Sequence, residues 1–470
     1  MNNTSDLKID TPSLPKGGGA IQGTGKGWAS VGTRGTATFE IALPISPARG
    51  YAPTLALTYQ STAGNGPFGL GWGVHLTAIS RRTSKGVPTY TEQDEFMGPD
   101  AQVWLAERDA LGAIVSRPST VSGTAYRVAR YFPRVESSFD LIEHWQSATD
   151  AAGFWLIHGA DGSQHFYGKT PLARLADPDH SSRVARWLLQ ESLNAHGEHI
   201  YYHYKKETDT SRYPRDCRAQ HYLERVCYGN FTARKNEQLY LWQTNERPEM
   251  RWHFQLLFDY GERVINRYQP TAFEPTLPWR SRPDASSDFS LGFELRTLRL
   301  CRQILMYHHF PDEPTMGAEP VLVRRLLLEY HLIGEVNLLG GVHEQAFDSS
   351  GNCTSLPPLE CSYQSGRLRP DQSRYQALGF TGLDDGNRYQ WVDLYGEGTP
   401  GILYRSDKSW YYREPLRAQL TQTGDEVTYG VAVETAMKRP PSSCHGHRAS
   451  CMTTTVRSAW STCRAWAAPA

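Results

Sequence analysis

The sequence lacks any apolar run of about eighteen residues, the length that a membrane-spanning helix requires. Its first residues, 1–10, also lack the apolar stretch of a Sec signal peptide, so an exported product would need another route. Neither sign of charge is in excess, because Lys and Arg total 49 and Asp and Glu total 49. No global field therefore attracts nucleic acid or an anionic membrane. We expect neither nucleic-acid binding nor direct membrane insertion.

The cysteines indicate no disulfide framework. There are only eight in the chain, they follow no regular spacing, and three of them crowd into the last stretch as Cys444, Cys451 and Cys463. This usage suits a chain that folds in a reducing cytoplasm. The tail group Cys444, His445 and His447 has zinc-ligand types, but it lacks the spacing of a zinc finger.

Several catalytic signatures are also missing. No Gly-x-Ser-x-Gly elbow occurs. The glycine-rich stretch 17–27 departs from a phosphate-binding loop, because Lys26 is followed by Gly27 instead of Ser or Thr. His343 and Glu344 begin like a helical zinc-protease motif, but Phe347 stands where the second histidine is needed. We expect no cofactor and no catalytic residues.

What the chain has in abundance favours β structure. Aromatic residues make up 11% of it, with 25 Tyr and 13 Trp, beside 41 Gly and 29 Pro. Aromatic side chains suit pleated sheets, and Gly and Pro supply turns between strands. The composition predicts an all-β fold.

Local patterns place individual strands. Alternating apolar residues predict strands at 38–45 and 54–60, and the clearest strand runs from Trp252 to Tyr260. An Asp-Gly turn at 161–162 predicts a hairpin, and a longer hairpin is predicted from Trp187 to Tyr204. Two further strand-rich stretches, 295–307 and 321–331, carry a row of arginines that would line an interior surface or face solvent: Arg296, Arg299, Arg302, Arg324 and Arg325.

Three blocks near the N-terminus combine glycine and proline in a way that excludes helix and favours packed turns. Together they supply the following candidate structural residues: Pro15, Lys16, Gly17, Gly18, Gly19, Pro44, Pro47, Gly64, Gly66, Pro67, Gly69, Gly71 and Trp72. In order along the chain, the blocks read L-P-K-G-G-G-A-I, L-P-I-S-P and A-G-N-G-P-F-G-L-G-W. They resemble the N-terminal domain of the SpvB type, found in the Salmonella virulence plasmid B protein and in the B component of insecticidal toxin complexes. Later blocks, such as 258–261 and 357–360, extend the resemblance over 11–365.

The resemblance implies a large, Rhs-like curled antiparallel sheet over 11–365, after a flexible N-terminus 1–10. It implies a non-catalytic structural and delivery module that adds strands to a β shell around a toxin. The implied partners are the toxin-complex C (Rhs) component and the pore-forming A component. Secretion to the extracellular region, with a bacterial cytoplasmic pool, is the expected localisation.

A second module is expected after a polar linker at 366–375. The stretch 376–437 resembles the first, incomplete blade of an FG-GAP-like β-propeller, which needs about four to eight blades to close. Its acidic turn offers Asp393 and Glu397 as weak calcium candidates, although one turn supplies too few oxygens. From 438 to 470 neither period nor resemblance continues, which suggests the hypothesis of a disordered, frameshifted tail.

Two other functions stay open at this stage. A free-standing virulence enzyme is one, either a hydrolase or an ADP-ribosyltransferase. The transferase domain of the virulence-plasmid protein has a Glu-x-Glu hallmark, however, and this sequence contains no Glu-x-Glu. The second alternative is a secreted module that binds glycans through tryptophans such as Trp242 and Trp252.

Overall fold

The fold is described from a computed structural model. It describes residues 36–136, 138–231, 251–313, 318–333, 335–363, 389–395, 400–406, 409–416, 428–429 and 433–434. Contacts divide the chain into two compact units, one of residues 14–367 and one of residues 1–13 with 368–470. The described residues are almost entirely β, with one 3-10 turn at Pro171–Ala173, which confirms the predicted all-β class. Within those residues, we find no helix with the length and apolarity needed to cross a bilayer.

The larger unit begins with a small antiparallel sheet in the order β1-β2-β5, accompanied by the two-residue pair β3 and β4. The bounds are β1 Thr38–Ala42, β2 Ala56–Gln60, β3 Asn65–Gly66, β4 Gly69–Leu70 and β5 Trp72–Val74. The first strand ends at Ala42, earlier than the sequence pattern predicts, because Pro44 has no N–H to continue a ladder.

Ten strands follow. They are β6 Ala78–Arg81, β7 Phe96–Met97, β8 Val103–Ala106, β9 Ser116–Val121, β10 Thr124–Pro133, β11 Leu141–Ser147, β12 Asp150–His158, β13 Gln164–Tyr167, β14 Arg174–Asp177 and β15 His180–Leu193. Eight of them close into a ring in the order β6-β7-β8-β10-β11-β12-β13-β15. The ring closes where Ile79 of β6 pairs with Trp187 of β15.

Aromatic side chains fill the interior of the ring. Trp155 is 0% exposed, and its ring centre lies 4.2 Å from that of His144, stacked at 16°. Phe96, Trp104 and Tyr131 pack around it with ring centres 4.8 to 5.5 Å away. Burial lowers the pKa of His144 to about 4. The ring is thus held by a packed aromatic core.

The sheet of the ring continues from β15 through β16, β17, β18, β21, β22 and β23, and this continuation is here called the extension. The bounds are β16 His199–Lys206, β17 His221–Asn230, β18 Trp252–Asp259, β19 Ser286–Asp288, β20 Leu295–Thr297, β21 Gln303–His308, β22 Val321–Ile333, β23 Val336–Phe347, β24 Cys353–Ser355 and β25 Leu359–Glu360. Short strands β24 and β25 pair with β23, and β19 pairs with β20.

The predicted hairpins are confirmed as β12–β13 and β15–β16, and the predicted strand at 252–260 is β18. That strand is buried on both faces, since Gln255, Leu257 and Asp259 are covered as well as Leu256 and Phe258. The alternate side chains of β18 therefore point to two faces of the extension, and both faces are packed.

The smaller unit contains a four-stranded sheet in the order β26-β27-β28-β31. The bounds are β26 Tyr389–Val392, β27 Gly401–Ser406, β28 Ser409–Arg413, β29 Pro415–Leu416, β30 Thr428–Tyr429 and β31 Val433–Glu434. The three strands predicted around 390–412 are present, while their assignment to a propeller blade stays a prediction. The stretches 1–10, 366–375 and 438–470 lie outside the described residues, and the predicted domain limits stay predictions.

Candidate functional site: an N-terminal clasp on the extension

The second of the three N-terminal blocks, L-P-I-S-P, lies against the extension. The Ser46 hydroxyl lies 2.7 Å from Nε2 of His308, and the Tyr228 hydroxyl donates to the Ser46 carbonyl oxygen at 2.8 Å. Burial lowers the pKa of His308 to about 4. Pro44 is buried and Pro47 is exposed. This block therefore fixes the chain to β17 and β21.

Two glycines of the third block have a backbone requirement. Gly69 has φ +90°, and a Cβ there would meet the carbonyl oxygen of Asn337 at 2.9 Å. Gly71 has φ +80°, and a Cβ there would meet the ring of Tyr59 at 2.5 Å. L-residues with a side chain rarely adopt such backbone angles. The backbone at these two positions therefore favours glycine.

Aromatic residues on either side of these two glycines anchor the block. Phe68 is buried, and its ring meets that of Phe258 edge to face at 6.2 Å. Trp72 is 3% exposed, and its indole N–H donates to the Tyr363 hydroxyl at 2.8 Å. The Tyr363 hydroxyl in turn donates to the carbonyl oxygen of Leu339 on β23. The block is thus tied to the extension through both Phe68 and Trp72.

A buried ion pair completes the attachment. Arg282 donates to both carboxylate oxygens of Asp284 at 2.7 and 2.8 Å, and neither side chain is more than 3% exposed. Arg282 also donates to Asn65 Oδ1 at 2.6 Å and to the carbonyl oxygen of Gly66. Asp284 accepts from Asn65 Nδ2 and from the backbone N–H of Asn337, both within 2.9 Å.

These hydrogen bonds decide the charge state of Asp284. Burial alone raises the pKa of its carboxyl, but the bonds from Arg282, Asn337 and Asn65 outweigh burial and hold the pKa well below its usual range. The carboxylate is therefore charged and fully bonded at neutral pH. We call the assembly of 64–72 with Arg282, Asp284, Asn337 and Tyr363 the clasp.

The other candidate structural residues of the three blocks differ in what the structure shows of them. A Cβ added at Gly64 would meet no atom within 4 Å, and the φ of Gly64 is not positive. A Cβ at Gly66 would meet only the carbonyl oxygen of Trp72, at 3.6 Å. The Pro67 carbonyl oxygen accepts from the N–H of Cys301. Pro15, Lys16, Gly17, Gly18 and Gly19 lie outside the described residues.

Only one of the two calcium candidates belongs to the described residues. Asp393 directly follows β26, whereas Glu397 lies outside the described residues. No group of three potential metal ligands occurs in the described part of the chain. Calcium binding by this pair stays a prediction.

Sequence reasoning missed Arg282, Asp284 and Asn337. They lie outside the three blocks, and Asp284 is 219 residues from Asn65 in the chain. No local spacing announces such a partner. The signal in the sequence was indirect: Asn65 is a polar residue among turn-forming glycines, and a buried amide needs partners.

The arginine row is divided between several environments instead of forming one stripe. Arg299 is buried and pairs with both carboxylate oxygens of Glu207, while Arg324 pairs with Glu344 near the surface. Arg325 is fully buried, and its guanidinium donates to neutral acceptors, including Gln345 and Thr271. Most of the row therefore stabilises the fold.

The structure also bears on the zinc-protease-like motif and on the tryptophans of the glycan-binding alternative. His343 and Glu344 lie on strand β23, so they do not share the face of a helix. Trp252 is 3% exposed and cannot stack on a sugar, which removes it from the glycan-binding alternative. Trp242 lies outside the described residues.

The family model that matches is described as Salmonella virulence plasmid 65kDa B protein and covers residues 31–310. A curated relative, the mono(ADP-ribosyl)transferase SpvB of Salmonella typhimurium, is 45% identical over 338 residues. That alignment covers 68% of this chain and 54% of the relative, so the chain spans about half the length of the curated relatives it matches.

Solved structures show the same relationship. The N-terminal domain of effector protein SpvB from Salmonella typhimurium strain LT2 matches with a TM-score of 0.61 and 42% identity, covering 66% of this chain and 99% of that domain. TcdB2-TccC3 matches with a TM-score of 0.75 and 39% identity over 91% of this chain and 21% of its own. The Photorhabdus luminescens Tc holotoxin pore matches with a TM-score of 0.76 and 38% identity, covering 95% and 21%.

Proposed function

The chain belongs to the Salmonella virulence plasmid 65kDa B protein family, and from this membership we propose that it is a non-catalytic structural module of a bacterial toxin complex. Its sheets would supply part of the wall of a shell that encloses the toxic part of a C (Rhs) component. The observation that carries the proposal is the match to TcdB2-TccC3, which extends over 91% of this chain at 39% identity. A match of this length covers the ring and the extension together.

The pairing of polar and charged side chains supports a structural role. Glu207 bonds Arg299, and Asp150 receives both terminal nitrogens of Arg174 at 2.6 and 2.8 Å. Glu191 lies 2.7 Å from Nδ1 of the fully buried His199. Each pair joins two different segments of the chain, from 8 residues apart for Glu191 and His199 to 92 residues apart for Glu207 and Arg299. Such pairs hold segments of the fold in fixed positions, as the wall of a shell would require.

The similarity to the ADP-ribosyltransferase supports the same proposal, because it includes the solved N-terminal domain of SpvB over 99% of that domain's length. We expect no NAD glycohydrolase or transferase activity from the purified chain. Release of nicotinamide from NAD, with Salmonella SpvB as positive control, measures this. Sustained turnover would overturn the non-catalytic proposal.

Assembly with a partner is the direct test of the proposal. The full chain is co-expressed with a C (Rhs) component encoded by the same organism, and the mass of the purified complex is measured by light scattering. We expect a stable complex, and electron microscopy should place the extension in its wall. A chain that stays a well-behaved monomer in the presence of that component would contradict the shell role.

The sheet β26-β27-β28-β31 would then be the start of the propeller that docks on the pore-forming A component. We propose further that the protein is secreted to the extracellular region, with a bacterial cytoplasmic pool. Immunoblots of washed cells and cell-free medium test the localisation. Detection in cells alone, with a cytosolic marker equally retained, would contradict secretion.

A further inference from the structure

A groove of about 410 Å³ opens at the end of the extension where β18 finishes and β21 begins. Its walls come from three stretches, 260–265, 277–282 and 300–302. The pairing of Asp259 with Gln303 brings the first and third stretches together. Four arginines line it, and they define what we call the arginine groove: Arg263, Arg280, Arg282 and Arg302.

Two of these arginines are engaged inside the protein. Arg282 belongs to the clasp, where Asp284 neutralises it. Arg263 donates twice to the carbonyl oxygen of Phe273, at 2.6 and 2.9 Å, and lies 3.4 Å from the Asp259 carboxylate. Their charges are therefore offset by internal acceptors.

The other two are not offset. Across the described part of the chain, neither Arg280 nor Arg302 has a carboxylate partner within ion-pair distance. Arg280 is exposed, and the guanidinium carbon of Arg302 lies 5.6 Å from the centre of the Tyr330 ring. An arginine stacked on an aromatic ring keeps its N–H donors available for an anion. Since the whole chain has no net charge, this excess is local.

Exposed apolar side chains lie beside these cations. Val264 is 62% exposed, Ile265 39% and Leu277 43%, and all three line the same groove. Single exposed apolar residues are normal on a surface, and these three bear on binding because they line one concave place together with Arg280 and Arg302. The groove thus offers two kinds of contact at once.

We propose that the arginine groove binds an extended acidic peptide segment of a partner protein, in which Asp or Glu alternate with aliphatic residues. The carboxylates would accept paired hydrogen bonds from Arg280 and Arg302, and the aliphatic side chains would cover Val264, Ile265 and Leu277. Paired hydrogen bonds to a carboxylate are the strongest contacts that an arginine side chain can offer. The volume is within the range of about 300–1,000 Å³ typical of ligand sites and exceeds the need of one anion. This site does not depend on the shell function.

The test uses the full chain and a fluorescein-labelled synthetic peptide of alternating Glu and Val, followed by fluorescence anisotropy. We expect saturable binding that weakens as salt rises, because exposed charges are screened. The change Arg280→Glu should weaken binding by about tenfold, and Arg302→Gln by about fivefold. A peptide with Gln in place of Glu should bind about tenfold more weakly than the acidic one.

The matched control is Arg212→Glu, which makes the same change of charge at a side chain that is 68% exposed and lies outside the groove. Its affinity should stay within about twofold of the parent chain. The apolar contribution is tested with Val264→Ser and Leu277→Ser, each expected to weaken binding by about threefold.

Three results would overturn the proposal. One is no binding by the parent chain, and another is equal loss of affinity in Arg280→Glu and Arg212→Glu. The third is full competition by tripolyphosphate combined with no effect of Val264→Ser and Leu277→Ser, which would mean a simple anion site.

Discussion

At the scale of single residues, some positions of the clasp require one particular amino acid. Residues of the same type elsewhere in the chain have no such requirement. Gly69 and Gly71 have positive φ and no room for a Cβ, whereas Gly64 in the same block has neither constraint. Arg282 and Asp284 are buried together, whereas Arg324 and Glu344 form a partly exposed pair. Each contrast supplies a variant and a matched control within the same chain.

Replacement of Gly69 by alanine should destabilise the protein, and Gly64→Ala should not. The first change forces an L-residue into a backbone region that costs about 1–2 kcal/mol and places a methyl group 2.9 Å from the Asn337 carbonyl oxygen. We expect a loss of about 2 kcal/mol in the free energy of unfolding for Gly69→Ala. Urea denaturation of both variants measures it, and equal midpoints would contradict this account of the block.

The change Asp284→Asn should cost about 3 kcal/mol, because it leaves the guanidinium of Arg282 buried without its counter-charge. Glu344→Gln removes one partner of a partly exposed pair and should change stability by less than about 1 kcal/mol. The same denaturation measurement compares them. Similar losses in the two variants would mean that the clasp pair contributes no more than a surface pair.

At the scale of elements, local sequence patterns predicted individual strands but not the pairing that closes the ring. The Asp-Gly turn at 161–162 identified β12 and β13 because a tight hairpin needs only neighbouring residues. The pairing of Ile79 with Trp187 closes the ring between distant stretches, and no short pattern encodes it. For the same reason the sequence located the glycines of the clasp and not Arg282, Asp284 or Asn337.

The ring depends on its aromatic core, so truncation there should be costly. Trp155→Ala removes a fully buried side chain and should lower the free energy of unfolding by about 4 kcal/mol. Leu105→Ala is the control, because Leu105 lies on β8 and is 50% exposed, and we expect a change within about 0.5 kcal/mol. Thermal unfolding of both variants checks the difference, and a stable Trp155→Ala protein would show that the core tolerates a cavity.

At the scale of the whole molecule, one buried and two half-buried histidines make the fold sensitive to acid. Burial lowers the pKa of His144 to about 4, and burial also lowers the pKa of His221 and His308 to about 4. An unfolded chain has histidine pKa values near about 6.5. Between these values the unfolded state binds more protons, so stability is complete above pH 6.5 and declines as the pH falls toward 4.

The contribution of His144 can be isolated with His144→Phe. Between pH 7 and pH 5 we expect the parent chain to lose about 2 kcal/mol more stability than this variant, since only the parent has that titrating group. Urea denaturation at the two pH values gives the difference. An identical loss in both proteins would mean that His144 does not contribute to acid sensitivity.

The clasp also sets an order of events during synthesis. Trp72 bonds a tyrosine 291 residues further along, and Asn65 bonds an aspartate 219 residues further along. The ribosome therefore delivers Phe68 and Trp72 long before their partners exist. This early apolar block is among the last to be covered, and a nascent chain stalled before residue 282 displays it to chaperones and proteases.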